Sequence, residues 1–230
     1  MTNVIAPFGL QDLERREGGS PTYGLTKVSI GSSDTTPIFA GDLVQISKGP
    51  FVSGGFGEYI TQASSGLATS NTAWRGIFKG CEFLNTVVGR TVWSQFWPGT
   101  GASSQADPIA YITDDPSLLY IAQCTSASII GSSNIGSNIN VTATSSQGNT
   151  ITGFSVIALT SSATSSGSSA PFRIRDFFSN FAPGLFPNQP GGVGTALQLG
   201  FVNGTDNTNT GQILVVEPNN FTNKVTVGSS

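Results

Sequence analysis

The chain has 230 residues, of which only 10% are charged, with a net charge of -3, 37% hydrophobic residues and no histidine. That hydrophobic share is enough for a real core in one large all-β domain or in a body with an elaboration. The missing imidazole removes the commonest general base and metal ligand, and the sparse Lys and Arg leave no basic stripe for phosphate, so enzymes and nucleic-acid binders both lose ground.

Ser, Thr, Asn and Gly supply about two-fifths of the residues, a bias toward pleated strands and turns rather than helices. The expected class is all-β: a barrel or sandwich body of short antiparallel strands with an extended N-terminal arm and an inserted β-hairpin. Residues 1–24 form the arm. They mix Gly and Pro with the apolar anchors Val4, Ile5, Phe8 and Leu10, and the short charged turn DLERRE follows. Such a segment builds no core of its own, and holding it extended costs roughly 1–2 kcal/mol of backbone entropy per residue, so it is expected to dock on another surface such as a sister subunit. On this reading, deleting residues 1–20 leaves a folded body. No basic leader with an apolar run opens the chain, and no apolar run is long enough to span a bilayer.

Residues 25–124 begin the body, with strand candidates KVSI, IFAGDLVQIS and KGPFVSGGFGEYI and then the aromatic stretch GIFKGCEF, TVWSQFW, IAYIT and LYIAQC. Period-2 geometry through TVWSQFW places Val92 and Phe96 on one face, buried in the subunit. Trp93 and Trp97 fall on the other, where a second sheet, a sister subunit or a partner covers them. Asp114 and Asp115 stand before Pro116 and read as an Asx-type turn rather than a catalytic pair. Cys81 and Cys124 read as two buried free thiols.

Residues 125–170, rich in Ser, Thr and Asn, form the inserted hairpin, with INVTATS and ITGFSVIAL as its strands. Residues 171–230 resume the body. In FRIRDFF, Phe172 and Ile174 share one face and Arg173, Arg175 and Phe177 the other, so the two arginines line either a solvated edge or a grip on an acidic partner. FAPGLFPNQPGGVG follows as a loop, then TALQLGFVN, QILVVEP and KVTVG as closing strands. Gly192 and Gly194 lie in the wrong context for a dinucleotide fingerprint. Two cysteines without histidine make no zinc site, and no calcium-loop pattern is present, so no cofactor or metal is expected.

Four segments carry a resemblance: GIFKGCEF at 76–83, WSQFWPG at 93–99, DPIAYITDDP at 107–116 and FRIRDFF at 172–178. Together they resemble tailed-bacteriophage capsid decoration, or cement, proteins. The resemblance covers the body and not the Ser/Thr-rich hairpin, and it offers no site residues to transfer. It implies a compact β body, no enzymatic activity, and residence on the virion surface after synthesis in the host cytoplasm. The implied partners are the major capsid protein and the chain itself as a homotrimer, with neither nucleic acid nor membrane. Strand geometry makes Val4, Ile5, Phe8, Leu10, Trp93, Trp97, Arg173 and Arg175 the interface candidates. The competing expectation is a head-fibre or tail-associated module that binds host-surface glycan through the hairpin and exposed aromatics.

Overall fold

The computed structural model describes residues 6–20, 24–31, 33–47, 58–63, 74–99, 107–125, 130, 132–142, 148–164, 170–178, 211–219 and 221. In chain order the first nine strands are β1 (Gln11–Arg15), β2 (Thr26–Ile30), β3 (Ile38–Phe39), β4 (Leu43–Ser47), β5 (Tyr59–Gln62), β6 (Trp74–Asn85), β7 (Arg90–Ser94), β8 (Phe96–Trp97) and β9 (Ile109–Thr113). Then come β10 (Leu118–Gln123), β11 (Asn138–Thr142), β12 (Ala158–Thr164), β13 (Phe172–Phe177) and β14 (Ile213–Pro218). The protein is all-β; among the described residues the one helical element is a single 3-10 turn, Ser132–Asn134.

One sheet runs β4-β5-β2-β9-β6-β7, and a further β4–β6 pairing closes its first five strands into a barrel. All its pairings are antiparallel except β2–β5. The 12-residue β6 makes closure possible, because its first part pairs with β4 and its last part with β7, so β7 hangs outside the ring as a hairpin arm. Alternation along the strands fills the interior with Val28, Ile30, Val44, Ile60, Phe78, Cys81, Phe83, Ala110 and Ile112.

The second sheet runs β1-β10-β14-β13-β11-β12 and covers the outside of the barrel wall. Leu43 of β4 and Trp74 and Ile77 of β6 join Tyr120, Leu159, Phe172, Leu214 and Val216 in one cluster. Leu43 and Val44 therefore serve different cores from adjacent positions, as expected where both faces of a strand are buried. Cys81 and Cys124 sit in the two different clusters as free, buried thiols.

Three local expectations are corrected here. Residues 11–15 do dock on a surface, but it is their own chain's: β1 pairs with β10, and Leu10 is wholly buried in the core. Trp93 and Trp97 do not share a face. A bend at Gln95 ends β7, and the chain restarts as β8, paired with β3 through Ile38↔Trp97. That resets the alternation and turns Trp97 into the barrel core, with its indole N–H donating to the Asp34 carbonyl at 3.1 Å. Phe96 is only half-buried, stacked on Phe39. In β13 the register slips between Ile174 and Asp176, so Phe177 joins the face of Phe172 and Ile174 instead of that of the arginines.

A hairpin does form within 125–170, but its second strand is β12 (Ala158–Thr164) and not ITGFSVIAL, whose residues 151–157 make a turn tied by Phe154 and Ser155 bridges to Ala40 and Gly148. β11 also joins β13, and Ile139, Val141 and Leu159 enter the shared core. The candidates TALQLGFVN and KVTVG, the glycines at 192 and 194, and the loop before them lie outside the described residues.

Candidate interaction surface

Among the described residues, no strand or loop covers the outward face of the β6–β7 hairpin. Cross-strand pairing sets Glu82 opposite Trp93 and Leu84 opposite Thr91, while Phe83 and Val92 turn inward to the barrel core. The turn NTVVG caps the hairpin, with the Asn85 side chain accepting hydrogen bonds from the Val87 and Val88 amides. Asn85 thereby holds two valines in solvent, Val87 at 88% exposure and Val88 at 53%. At the other end of β7, Gly153 packs against Gln95, and its turn presents Ile151 at 93% exposure and Phe154 at 43%. Among the described residues, six of the eight exposed large apolar side chains lie on this hairpin or on the turn at its base: Leu84, Val87, Val88, Trp93, Ile151 and Phe154. Scattered singly they would need no account; strung along one hairpin they define a surface.

The middle of that surface is ordered. Gly80 lies beneath the Trp93 indole: a Cβ there would stand 2.6 Å from Trp93 Cζ2, so only glycine lets the ring lie down on the strand. The indole packs on Tyr111 at 5.1 Å between centroids. Tyr111 donates its hydroxyl to Glu82 at 3.0 Å, and Lys27 Nζ stands 5.5 Å from the phenol ring centroid. Partial desolvation, with the Glu82 hydrogen bond and charge, holds the Tyr111 hydroxyl above its ordinary value.

The sequence-derived candidates divide. Trp93 stands in this surface; Trp97 is core. Phe8 is half-buried and Leu10 buried, while Val4 and Ile5 lie outside the described residues. Arg173 and Arg175 are exposed on β13, and the Arg173 charge is met within the chain by Glu217 at 3.8 Å and by a bond from Nε to the Gly136 carbonyl at 2.9 Å. Lys27, Glu82, Tyr111, Val87 and Val88 were not singled out by sequence. A readable signal existed for the last two, since a turn bounded by Asn and Gly ordinarily carries polar residues between them.

Elsewhere the polar groups serve the frame. Asp115 accepts from the Ser117 amide at 2.9 Å, the Asx turn that its place before Pro116 predicts. Burial raises its carboxyl, but the two Ser117 hydrogen bonds and Arg15 outweigh that and hold it below the ordinary range. Arg75 is clamped between Glu58 and Asp114. Asp42, 1% exposed, accepts from the Phe39 amide, the Gln62 amide and the Ser155 hydroxyl, tying the segment before β12 to the barrel. Burial pushes its carboxyl up to about 6 against the pull of those bonds, and burial likewise pushes the Cys81 thiol up to about 12, leaving it unreactive. Among the described residues no three His, Cys, Asp or Glu side chains converge on a metal-sized point, and no helix is long and apolar enough to cross a membrane.

No protein-family model, curated protein or solved structure matches the chain.

Proposed function

We propose that this chain is a non-enzymatic structural protein of a bacteriophage virion that binds the outside of the assembled capsid and bridges its major capsid subunits as a homotrimer. The observation that carries the binding role is the apolar hairpin, with Val87 and Val88 at its tip and Ile151 and Phe154 at its base. The virion setting rests on the resemblance of the four aromatic segments. Exposed valines held out by their turn cost stability in isolation and repay it only when a partner covers them. A trimer presents three such hairpins, and a lattice engages them together, so weak single contacts add through effective concentration. Because the lattice is bound only when assembled, occupancy stabilises the assembled state by linkage.

The test is co-sedimentation with expanded heads formed by the accompanying major capsid protein. The protein is expected to pellet with heads at fixed stoichiometry and to raise their resistance to mild heating, and Val87→Ser combined with Val88→Ser is expected to lower occupancy while leaving the unfolding free energy within about 1 kcal/mol of the parent. Absence of binding to expanded heads, or undiminished occupancy by the double variant, refutes this reading.

A further inference from the structure

The sheet face beside the hairpin tip has a chemistry that capsid bridging does not require. Trp93 is 53% exposed, yet its ring is positioned: one edge rests over Gly80 and a second contact is the Tyr111 ring. A carboxylate, Glu82, lies on β6 between the strands of the two rings and is bonded to the Tyr111 hydroxyl, and an ammonium, Lys27 on β2, stands beside the Tyr111 ring. We propose that this platform binds a neutral saccharide, stacking the C–H face of one sugar ring on the Trp93 indole and meeting its hydroxyls with Glu82 and Lys27.

Three features favour a sugar over other occupants. An indole whose place on the strand is already set has little rotamer freedom left to lose when a flat ring lands on it. Glu82 accepts and Lys27 donates, and vicinal hydroxyls do both, so a polyol satisfies the two charged groups together where an apolar protein surface would strand them. The opposite charges offset one another, which suits an uncharged ligand and disfavours the phosphates of a nucleic acid.

The chain contains three tryptophans, and Trp74 and Trp97 are each 1% exposed, so a ligand in solution reaches Trp93 alone among them. The experiment titrates the full chain with neutral hexasaccharides of glucose, mannose, xylose and N-acetylglucosamine while tryptophan emission is recorded. At least one series is expected to give a saturable change. Trp93→Ala is expected to abolish the emission change and to weaken binding by calorimetry about tenfold or more, and Lys27→Met is expected to weaken it by a smaller factor. Retention of the buried-tryptophan emission in Trp93→Ala shows that the variant is folded. The proposal fails if no saccharide changes the emission, or if binding survives Trp93→Ala at full strength. It also fails if Trp93→Ala strips the protein from heads while no saccharide binds, because the platform is then a protein contact. Saccharide binding lost in Trp93→Ala and kept in the Val87/Val88 double variant assigns the sugar to the platform and not to the hairpin tip; loss of saccharide binding in the double variant alone overturns that assignment.

Discussion

Trp93 and Trp97, four positions apart, show how differently the same residue type is used. Trp97 fills the barrel and meets Phe83 edge-on at 5.3 Å, so Trp97→Ala is expected to cost about 3–5 kcal/mol of stability. Trp93→Ala gives up the contacts with Gly80 and Tyr111 of a half-exposed ring and is expected to cost about 1 kcal/mol. Urea midpoints decide it, and similar losses from the two variants would contradict the assignment of faces. No Gly or Pro marks the bend at Gln95, and a period-2 count carried through WSQFW puts both indoles on one face; the adjacent polar pair Ser94-Gln95 was the one sign of the slip. The tertiary demand of pairing with β3 fixes it. Asp42 is a second residue whose setting decides its behaviour. With its folded carboxyl near 6 and an ordinary value of 3.8, the native state binds the extra proton between those limits. Stability from this group therefore rises as pH falls from above 6 toward 4, by roughly 3 kcal/mol at most. Urea unfolding at pH 7, 6 and 5 is expected to show that rise, and Asp42→Asn to flatten it. Below that window the depressed carboxyl of Asp115 acts in the opposite sense, its contribution being lost as it protonates.

At the scale of elements, β1 changes what the N-terminal segment is for. It pairs with β10 from Gln11 to Arg15, Asp12 meets Lys79 at 2.8 Å, Arg15 meets Asp115 at 2.9 Å, and Leu10 is sealed in the core. Deleting residues 1–16 is therefore expected to destabilise the whole fold, and Leu10→Ala alone to cost about 2–5 kcal/mol, with circular dichroism melts as the readout. A truncated chain that melts with the parent would restore the picture of a separable arm. Composition suggested an arm because Gly and Pro are dense there and the strand itself, QDLER, is polar; an edge strand needs only its backbone and one anchor. The β13 register slip was equally hidden, since FRIRDFF alternates cleanly until the extra residue at Arg175. β6 was plainer: GIFKGCEF reads as a strand from its aromatic and glycine pattern, though not that it would extend to 12 residues and serve β4, β7 and β9 at once.

For the whole molecule, the all-β class follows from Thr-rich strands and turn residues, and the barrel was among the architectures expected. The stacking of a second sheet on the barrel wall was not legible, because it depends on pairings between segments about a hundred residues apart. The interaction surface was half legible: Trp93 announced itself, whereas its companions come from β2, β6 and β9, strands that meet only in the closed barrel.

One such distant pairing has a bearing on biosynthesis. β14 lies between β10 and β13, in the middle of the second sheet, yet among the described residues it is the last strand in chain order. The last barrel strand, β9, is synthesised roughly a hundred residues ahead of β14, about 5–20 s of elongation at typical speeds. A barrel that closed in that interval would hold its outer wall, with Leu43, Trp74 and Ile77, without the central strand of the sheet that covers it. A premature stop or a proteolytic nick ahead of Ile213 would thus leave a sticky half-molecule rather than a shorter working one.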